Sequence, residues 1–499
     1  MIPLMVAFPL LFGFIIVILD TLRAKKVLIK ASFVFGAVLP VGIFFVENGR
    51  EIVGGWSRVA GIEVGIGEIN APFIAGELIL FTVVALYSIS YFDFRYKKTA
   101  KALVLFLLMH AGLLGAFLAR DFFNFYIYME IASVSAFALV AFSEEPGSKK
   151  ATFKYLILSL LASYLFIFAI GLVYMETGYL NVDLVAQNAL PSRELNAALG
   201  VAFASLLLKA GIFPLHGWLP DAHSKAPTPV SALLSGLVVK APAYGMILLF
   251  SALPVGESLK TAAMMVAVAS IFFGIVIMLL QRDAKRFLAY STVSQMGYVL
   301  LGIATFNFTG AAYYALAHSL AKGGLFLSVG SLGRKSRKLG EFGYRNAPLM
   351  AFSVLMLSLA IGGVSPFIGS YAKGLIYSGL PGDWRWTVLA GTIGTLVSFT
   401  KLNYHLLRGE TEDLRPSWKL SSLVLALTTL GAGLYLGAGL KPSDAIYIAA
   451  AVLTFFGLRA LGVFERGVQS EAKDVGRDVN VLAAVFVTFM LTVLLLQWS

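Results

Sequence analysis

The 499-residue sequence contains no cysteine. It therefore cannot form a disulfide bond, and it cannot hold an iron–sulfur cluster or a zinc ribbon through cysteine ligands. It also has neither a GxxxxGK[ST] phosphate loop nor a GxGxxG turn after a strand, the short motifs typical of nucleotide sites. Any electron transfer is expected in another subunit, and the driving energy is expected from an ion gradient or a partner.

Charged residues are also scarce, at 13% of the sequence against about 25% in soluble domains. Hydrophobic residues reach 59%, and a soluble fold could not cover that much apolar surface with so few charges. A soluble enzyme, a disordered tail and a coiled coil are excluded. The net charge of +12 does not indicate nucleic-acid binding, because the basic residues lie in short loops between apolar segments. The composition predicts an all-α polytopic membrane protein.

Apolar segments near the length that spans a bilayer, about 20 residues, recur along the chain. The sixteen segments lie near 2–19, 27–46, 73–91, 102–118, 122–142, 155–174, 198–216, 230–250, 262–280, 288–304, 310–330, 349–379, 387–407, 419–437, 445–463 and 480–498. Segment 7 ends at Pro214 and segment 12 contains Pro366. Because proline breaks the helical hydrogen-bond ladder, both segments are predicted to be interrupted.

Six clusters of basic residues each follow an odd-numbered segment, which places these clusters on one face of the membrane. They are Arg23, Lys25 and Lys26; Arg95, Lys97, Lys98 and Lys101; Lys149, Lys150 and Lys154; Arg282, Lys285 and Arg286; Arg334, Lys335, Arg337, Lys338 and Arg345; and Lys473 and Arg477. By the positive-inside rule that face is cytoplasmic. We therefore expect a multi-pass protein of the cell membrane with both termini outside.

Similar residues recur at nearly constant spacing. The pairs are Arg120 and Arg282, Ser159 and Ser319, Lys209 and Lys373, and Lys240 and Lys401, each separated by 160 to 164 residues. This spacing predicts two inverted five-helix repeats, an arrangement typical of transporters. The predicted division is 1–101 with an external β-hairpin or ordered loop at 47–72, a first repeat at 102–250, a second at 251–411, and C-terminal helices at 412–499. Segments 175–197 and 408–418 are predicted to be polar connectors.

Several ionisable residues lie inside the apolar segments, where a charge costs roughly 2.5–3.5 kcal/mol on insertion scales. The candidates for proton or ion translocation are Glu130, Lys209, Lys240, His318, Lys322 and Lys373. A mobile ion pair between Glu130 and Lys209 is one hypothesis. The alternatives are a purely structural ion pair for Glu130, a lysine reaching the interface for Lys240, and a hydrogen-bonded core histidine for His318.

A second set of ionisable residues has possible entrance or accessory roles: Asp221, His223, Lys225, Lys401 and His405. The first three lie in a proline-rich polar stretch that we interpret as a rigid reentrant loop. Lys401 and His405 lie near a predicted cytoplasmic helix end, where reaching toward the interface is the favoured interpretation for His405. The histidines at 216 and 223 have no third ligand at metal-binding spacing, so no metal is predicted.

Three stretches together resemble the antiporter-like subunits shared by respiratory complex I, Mrp-type sodium/proton antiporters and membrane-bound hydrogenases. They are FPLHGWLPDAHSKAPTPVSALL at 213–234, continuing to Lys240, DAKRFLAYSTVSQMGY at 283–298, and HSLAKGGLF at 318–326. The resemblance covers about residues 1–437. It implies fourteen core helices with two inverted five-helix repeats and broken helices 7 and 12. Two further C-terminal helices would extend this core.

The resemblance also implies roles for individual residues. Glu130 matches the family's glutamate on helix 5, Lys209 and Lys240 its lysines on helices 7 and 8, His318 and Lys322 the helix 11 relay, and Lys373 the lysine or glutamate on helix 12. Lys401 has no counterpart in that pattern. No cofactor is expected in this chain, whereas partner subunits could carry iron–sulfur clusters or nickel–iron.

The favoured function is therefore a proton-translocating, or sodium/proton-translocating, membrane subunit of a multisubunit respiratory-type complex. Its expected partners are antiporter-like and small hydrophobic subunits, a redox arm, the lipid bilayer and the transported ions. The first alternative is a self-sufficient secondary cation/proton transporter. The second is a membrane enzyme acting on lipid or quinone, which the isolated loop acids Glu63 and Glu68 do not favour.

Overall fold

The computed structural model describes residues 1–93, 98–466 and 475–498. Within these ranges the chain forms twenty α-helices and one two-stranded antiparallel sheet. The prediction of an all-α polytopic architecture is thereby confirmed. The predicted basic residues Arg95, Lys97 and Lys473 lie outside the described residues.

The first eleven helices lie within residues 4–252, about half of the chain. They are α1 (Leu4–Thr21), α2 (Lys26–Val46), α3 (Ala71–Tyr91), α4 (Lys98–Leu118), α5 (Phe122–Ala141), α6 (Ser148–Thr177), α7 (Val182–Asn188), α8 (Arg193–Ala210), α9 (Leu219–Lys225), α10 (Thr228–Leu233) and α11 (Lys240–Ala252). Nine more follow: α12 (Glu257–Leu280), α13 (Ala284–Ala304), α14 (Phe308–Leu332), α15 (Pro348–Gly362), α16 (Ile368–Gly379), α17 (Arg385–Leu406), α18 (Pro416–Tyr435), α19 (Ser443–Ala460) and α20 (Val475–Trp498).

Helices occupy all sixteen predicted apolar segments. By length and composition, eleven helical stretches of the described chain are suited to cross a membrane, with α10 and α11 counted as one stretch, Thr228–Ala252. The other five predicted segments correspond to α8, α14, α15 with α16, α17 and α18, which are shorter or more polar. The sequence thus located every helical segment. The predicted count of sixteen membrane spans is higher than the eleven that helix length and hydropathy alone support.

Two of the helical segments are interrupted by a Gly-x-x-Pro sequence. Helix α8 ends at Ala210, and Gly211 follows with a φ of +64°. Helix α15 ends at Gly362, and Gly363 follows with a φ of +82°. Glycine tolerates this left-handed conformation, which closes a helix, and the proline three residues later removes a backbone donor. Chain direction therefore changes inside the bundle at both places.

The two interruptions differ in where they place a lysine. Lys209 lies two residues before Gly211, whereas Lys373 lies ten residues after Gly363. The predicted equivalence of the two lysines is therefore not supported by their positions relative to the interruptions. The inverted-repeat relation itself stays a prediction.

The segment between α2 and α3 forms the hairpin of β1 (Gly49–Ile52) and β2 (Glu63–Ile66). The strands are antiparallel, with Gly49 opposite Ile66 and Ile52 opposite Glu63. The segment predicted as a polar connector at 175–197 is more structured than expected. It contains α7 and the first turns of α8, each started by a side-chain cap, Asn181 and Ser192 respectively.

The centre of the bundle is formed by the α10–α11 stretch and α13, both buried throughout. Helix α14 packs against α13, α3, α15, α16 and α18, so it also lies inside. Helices α1, α2, α19 and α20 are mostly exposed and lie at the periphery. The two C-terminal helices beyond the predicted core pack on its side, α19 against α17 and α20 against α8, α6 and α12.

Candidate functional site

An ion pair joins α5 to the end of α8. Lys209 Nζ lies 2.6 Å from Glu130 Oε1. Ser163 donates to the same carboxylate at 2.6 Å, and Lys209 also donates to Ser133 at 3.3 Å and Ser159 at 3.2 Å. Two opposite charges with satisfied hydrogen bonds are the form in which ionisable groups persist inside a bilayer. The structure thus brings together the two residues of the predicted mobile pair.

A small cavity continues from Lys209 toward α11. Its volume is about 10 Å³, and its wall includes Ser133, Ser159, Lys209 and Pro242. A volume near 10–15 Å³ is about the minimum for one water molecule with polar partners. The gap between Lys209 and the start of α11 therefore has room for about one bridging water.

Lys240 lies at the start of α11, directly after a π-helical turn at Leu234–Val238. Such turns are frequent at functional sites, because they displace side chains and leave backbone carbonyls free. Lys240 Nζ donates to the carbonyl of Ser235 and also contacts Nδ1 of His318. A proton-carrying amine and an imidazole are thus in direct contact across α11 and α14.

His318 and Lys322 share one face of α14, four residues apart. Lys322 Nζ donates to the carbonyl of Leu288 at 2.6 Å and faces the rings of Phe326 and Phe399 at 5.6 and 6.0 Å. Nε2 of His318 has no hydrogen-bond partner among the described residues. One side of the imidazole contacts Lys240, and the other is available to a further donor or acceptor.

His223 lies near the same point. It is fully buried, and its ring packs edge-on at 5.9 Å against Phe326, the ring that Lys322 also faces. Neither ring nitrogen has a partner in the described part of the chain. Burying polar atoms without hydrogen bonds costs free energy, so a buried imidazole without partners points to a functional role. His223, which was predicted to have an accessory role, thus lies close to Lys322.

The buried ionisable groups Glu130, Lys209, Lys240, His318, Lys322 and Lys373 are called the row below. Further polar side chains on α13, α14 and α17 lie next to it, beginning with Tyr314, which is one helical turn before His318 on α14. Tyr314 donates to Gln295, and Gln295 donates to Thr395 at 3.3 Å. Lys373 lies at the far end, where Nζ donates to the carbonyl of Gly362 at 3.0 Å and to a neighbouring threonine. Sequence reasoning missed Gln295 and Tyr314, although a glutamine inside an apolar segment was a detectable signal.

Lys401 does not contact this row. Its Nζ donates to the carbonyls of Leu279 and Gln281 at 2.7 Å each, where α12 ends and its last carbonyls lack helical donors. His405 packs edge-on against Tyr404, and it lines a cavity of about 320 Å³ together with Lys401. These contacts favour a helix-capping role for Lys401.

Asp221 joins four helices through ion pairs. It accepts from Lys154 at 3.0 Å and from Arg286 at 2.7 Å, and Lys154 also reaches Asp478 at 3.4 Å. Helices α6, α9, α13 and α20 are connected in this way. Lys225, the last residue of α9, lines a large cavity at the same end of the bundle. Sequence reasoning did not identify Lys154 or Arg286 as partners of Asp221, because their contacts are long-range.

A second buried pair was missed altogether. Glu77 on α3 and Nδ1 of His110 on α4 are hydrogen-bonded, and both side chains are fully buried. The ring of Phe81 stacks on the imidazole at a centroid distance of 4.0 Å. The rule applied to Glu130, that an acid inside an apolar segment is a candidate site, would have found Glu77.

An ion-pair cluster holds the hairpin against α7. Arg50, Arg58 and Arg120 all contact Asp183, and Arg50 and Arg58 also contact Glu63. Partial burial acts to raise the pKa of both carboxyls. The hydrogen bonds and charges around them outweigh this effect, so the pKa of Glu63 and that of Asp183 lie below their usual values. Both carboxylates are therefore ionised at neutral pH.

Metal ligands are not clustered in the part of the chain that the structure describes, where no three histidine, aspartate or glutamate side chains could hold one ion. The chemistry that the row offers is instead the acceptance and donation of protons by amines, imidazoles and one carboxylate.

Comparisons with known proteins identify relatives of this chain and of its fold. Residues 119–398 match the family described as NADH:quinone oxidoreductase/Mrp antiporter, TM. NADH-quinone oxidoreductase subunit N of Desulforudis audaxviator is 34% identical, with 75% of this chain and 81% of the relative covered. A Na(+)/H(+) antiporter subunit of Bacillus subtilis is 26% identical, with 72% of this chain and 76% of the relative covered. A chain of the Mrp complex from Dietzia sp. DQ12-45-1b has the same fold, with a TM-score of 0.78 at 22% identity over 93% of this chain and 99% of that one.

Proposed function

Because this chain belongs to the NADH:quinone oxidoreductase/Mrp antiporter family, we propose that it is the ion-translocating membrane subunit of a multisubunit respiratory-type complex. The observation that carries the proposal is the buried row running from the Glu130–Lys209 pair through Lys240 and His318 to Lys322 and Lys373. Protons are the favoured cargo, because the row consists almost entirely of amines and imidazoles. These groups repel a naked cation but exchange protons with one another.

The balance of charge in the row supports transport rather than a static structural role. The row contains four lysines and one carboxylate, Glu130. Each uncompensated charge inside a bilayer costs several kcal/mol. The lysines are therefore not all charged at once, and a proton added at one end favours release of another further along. Such a row transmits protons between two faces.

The Glu130–Lys209 pair is proposed to act as the switch. While the carboxylate holds Lys209, the ammonium is stabilised where it stands. When the pair opens, Lys209 lies beside the cavity of about 10 Å³ that leads toward Pro242 and the start of α11. Lys240 then passes the proton to His318 by direct contact. Lys322, Gln295, Tyr314 and Lys373 form the rest of the route.

The proposal extends to partners and orientation. The chain would assemble with other membrane subunits in the cell membrane, and any redox centre would lie in a partner. Both termini would face outside, as the distribution of basic loops predicts. A chain that assembles in this way uses conformational or electrostatic changes at its interfaces to open the Glu130–Lys209 pair.

The test compares proton movement by the intact complex, reconstituted in vesicles, for wild type, Lys209→Ala and the control Lys260→Ala. Lys260 is partly exposed at the start of α12. Among the described residues its only ion pair is with Glu257, and its amine lies over the ring of Phe306. We expect the Lys209 variant to assemble normally and to lose coupled proton movement, and the control to retain it. Wild-type rates in the Lys209 variant would refute the proposed route. A wild-type chain that purifies and transports alone would refute the subunit assignment and favour a self-sufficient transporter.

A further inference from the structure

A cavity of about 1050 Å³ opens at the end of the bundle where α13 begins and α14 ends. Nine lysine and arginine side chains line it, against two carboxylates. The mouth of this cavity therefore carries a strong local excess of positive charge. None of the residues of the proposed proton route lines it, so its composition needs a separate explanation.

Ion pairing within the protein uses up only part of this charge. The two carboxylates of the wall, Glu145 and Asp283, both contact Arg337, at 2.7 and 3.3 Å. Arg286 pairs with Asp221, and Lys338 pairs with an acid outside the cavity. Lys335 likewise pairs with Glu412, which does not line the cavity.

Two arginines of the wall, Arg334 and Arg415, have no carboxylate partner among the residues that the structure describes. Arg415 donates to the carbonyl of Ser90. This contact fixes the direction of the side chain without neutralising its charge. Lys285 is not available in the same way, because it is almost completely buried and its amine donates to the carbonyl of Ala226 at 2.8 Å and the hydroxyl of Ser231 at 3.3 Å.

Arg334 and Arg415 are held beside one aromatic ring. Their guanidinium carbons lie 5.0 and 5.3 Å from the ring of Trp418. That ring is 2% exposed, its Nε1 donates to Ser90 at 2.9 Å, and Tyr87 stacks on it at 5.5 Å. The two guanidinium groups are thus held in position beside a fixed ring, which lowers the entropic cost of binding an anion.

We propose that this cavity binds a phosphate-bearing anion through Arg334 and Arg415. Planar guanidinium groups match the oxygens of a phosphate in bidentate fashion. The volume of 1050 Å³ also holds an organic group attached to the phosphate. Two sources share this chemistry: the headgroup of an anionic phospholipid and a soluble phosphate ester.

This site is independent of the proposed proton route, because neither of its two arginines belongs to that route. The test measures equilibrium binding to the detergent-purified complex, with three probes: radiolabelled inorganic phosphate, short-chain phosphatidylglycerol and short-chain phosphatidylcholine. The variants are Arg334→Gln with Arg415→Gln, and a control in which Lys149 and Lys150 become Gln. The control removes the same charge from exposed lysines that do not line the cavity.

We expect wild type to bind phosphate or phosphatidylglycerol and to ignore the zwitterionic lipid. The double arginine variant should lose at least about tenfold in affinity, because each lost charge-assisted hydrogen bond is among the stronger contacts of a protein. The lysine control should bind as wild type does. Phosphatidylglycerol that binds and competes with phosphate identifies a lipid headgroup, whereas binding of phosphate alone identifies a soluble ester.

Two outcomes would overturn the proposal: no binding of either anion by wild type, or an equal loss in both variants, which indicates general charge attraction. Thermal unfolding of each variant checks the fold. Arg334→Gln alone provides a second variant, since Arg334 makes no hydrogen bond to the described residues. Unchanged anion affinity in this single variant would also count against the site.

Discussion

Replacing Glu130 with glutamine tests the switch most directly. The substitution keeps the shape of the side chain and an oxygen near Lys209, but it removes the negative charge. The Lys209 side chain is 4% exposed and that of Glu130 is 18% exposed. Removing one partner of a buried ion pair costs about 3–5 kcal/mol, because the other charge is left uncompensated. The partial exposure of Glu130 favours the lower end of this range.

That cost translates into a rate. With about 1.4 kcal/mol for each factor of ten, 3 kcal/mol shifts the ratio of protonated to neutral Lys209 roughly a hundredfold toward the neutral amine. Proton movement through the complex should therefore fall, by up to about that factor, if Lys209 must be charged in each cycle. The assay is the initial rate of internal pH change in vesicles containing the complex, at matched protein content.

A matched control is Glu257→Gln, since Glu257 is 84% exposed and pairs with Lys260 within the first turn of α12. Exposed pairs contribute little, so its rate should equal that of wild type. A Glu130→Gln complex that assembles normally and pumps at more than half the wild-type rate would refute the reasoning. The same rate loss in the Glu257 variant would show that the assay reports general damage.

Three further predictions concern packing, pH and helix capping. Gly112→Ala should destabilise the purified protein by about 1–3 kcal/mol, because an added Cβ would lie 2.6 Å from the backbone of α5. The measurement is the unfolding temperature in detergent. Gly171→Ala is the control and should not lower that temperature, because nothing lies within 4 Å of the added Cβ. Because the pKa values of Glu63 and Asp183 are lowered in the folded protein, their contribution to stability is complete above about pH 5 and disappears as the pH falls through the lowered values. Hydrogen-exchange protection of the hairpin should therefore decrease with acid before the core helices change, and simultaneous loss everywhere would contradict this. Lys401→Met should lower stability by about 1–3 kcal/mol, since it leaves two carbonyls of α12 without donors, while proton movement stays near the wild-type rate; loss of transport at normal stability would instead place Lys401 in the route.

Several features of the site could be predicted because they depend on single residues or short stretches. An ionisable group inside an apolar segment is visible without knowing its neighbours, and Lys209, Lys240 and His318 were identified in this way. The interruption after Ala210 was also foreseeable, because proline acts on its own helix. The same rule was applied incompletely, since Glu77 is equally visible and was not identified.

Other features could not be predicted, because they depend on how helices are rotated against one another. Lys401 resembles Lys240 in sequence position, yet it caps α12 instead of contacting an imidazole. One residue turns a helix by about 100°, so a small difference in register decides which neighbour a side chain meets. The ion-pair partners of Asp221 and the position of the Trp418 ring between two arginines could not be predicted for the same reason.

The sequence by itself determined that this chain is an all-helical membrane protein, where its apolar segments lie, and which buried groups are ionisable. These properties follow from composition and hydropathy over about 20 residues, the length that a bilayer imposes. Only the tertiary structure decided that Glu130 meets Lys209 across 79 residues and that Lys240 meets His318 across 78. Such contacts are set by the packing of separate helices, in which close side-chain fit, and not local hydropathy, selects one arrangement.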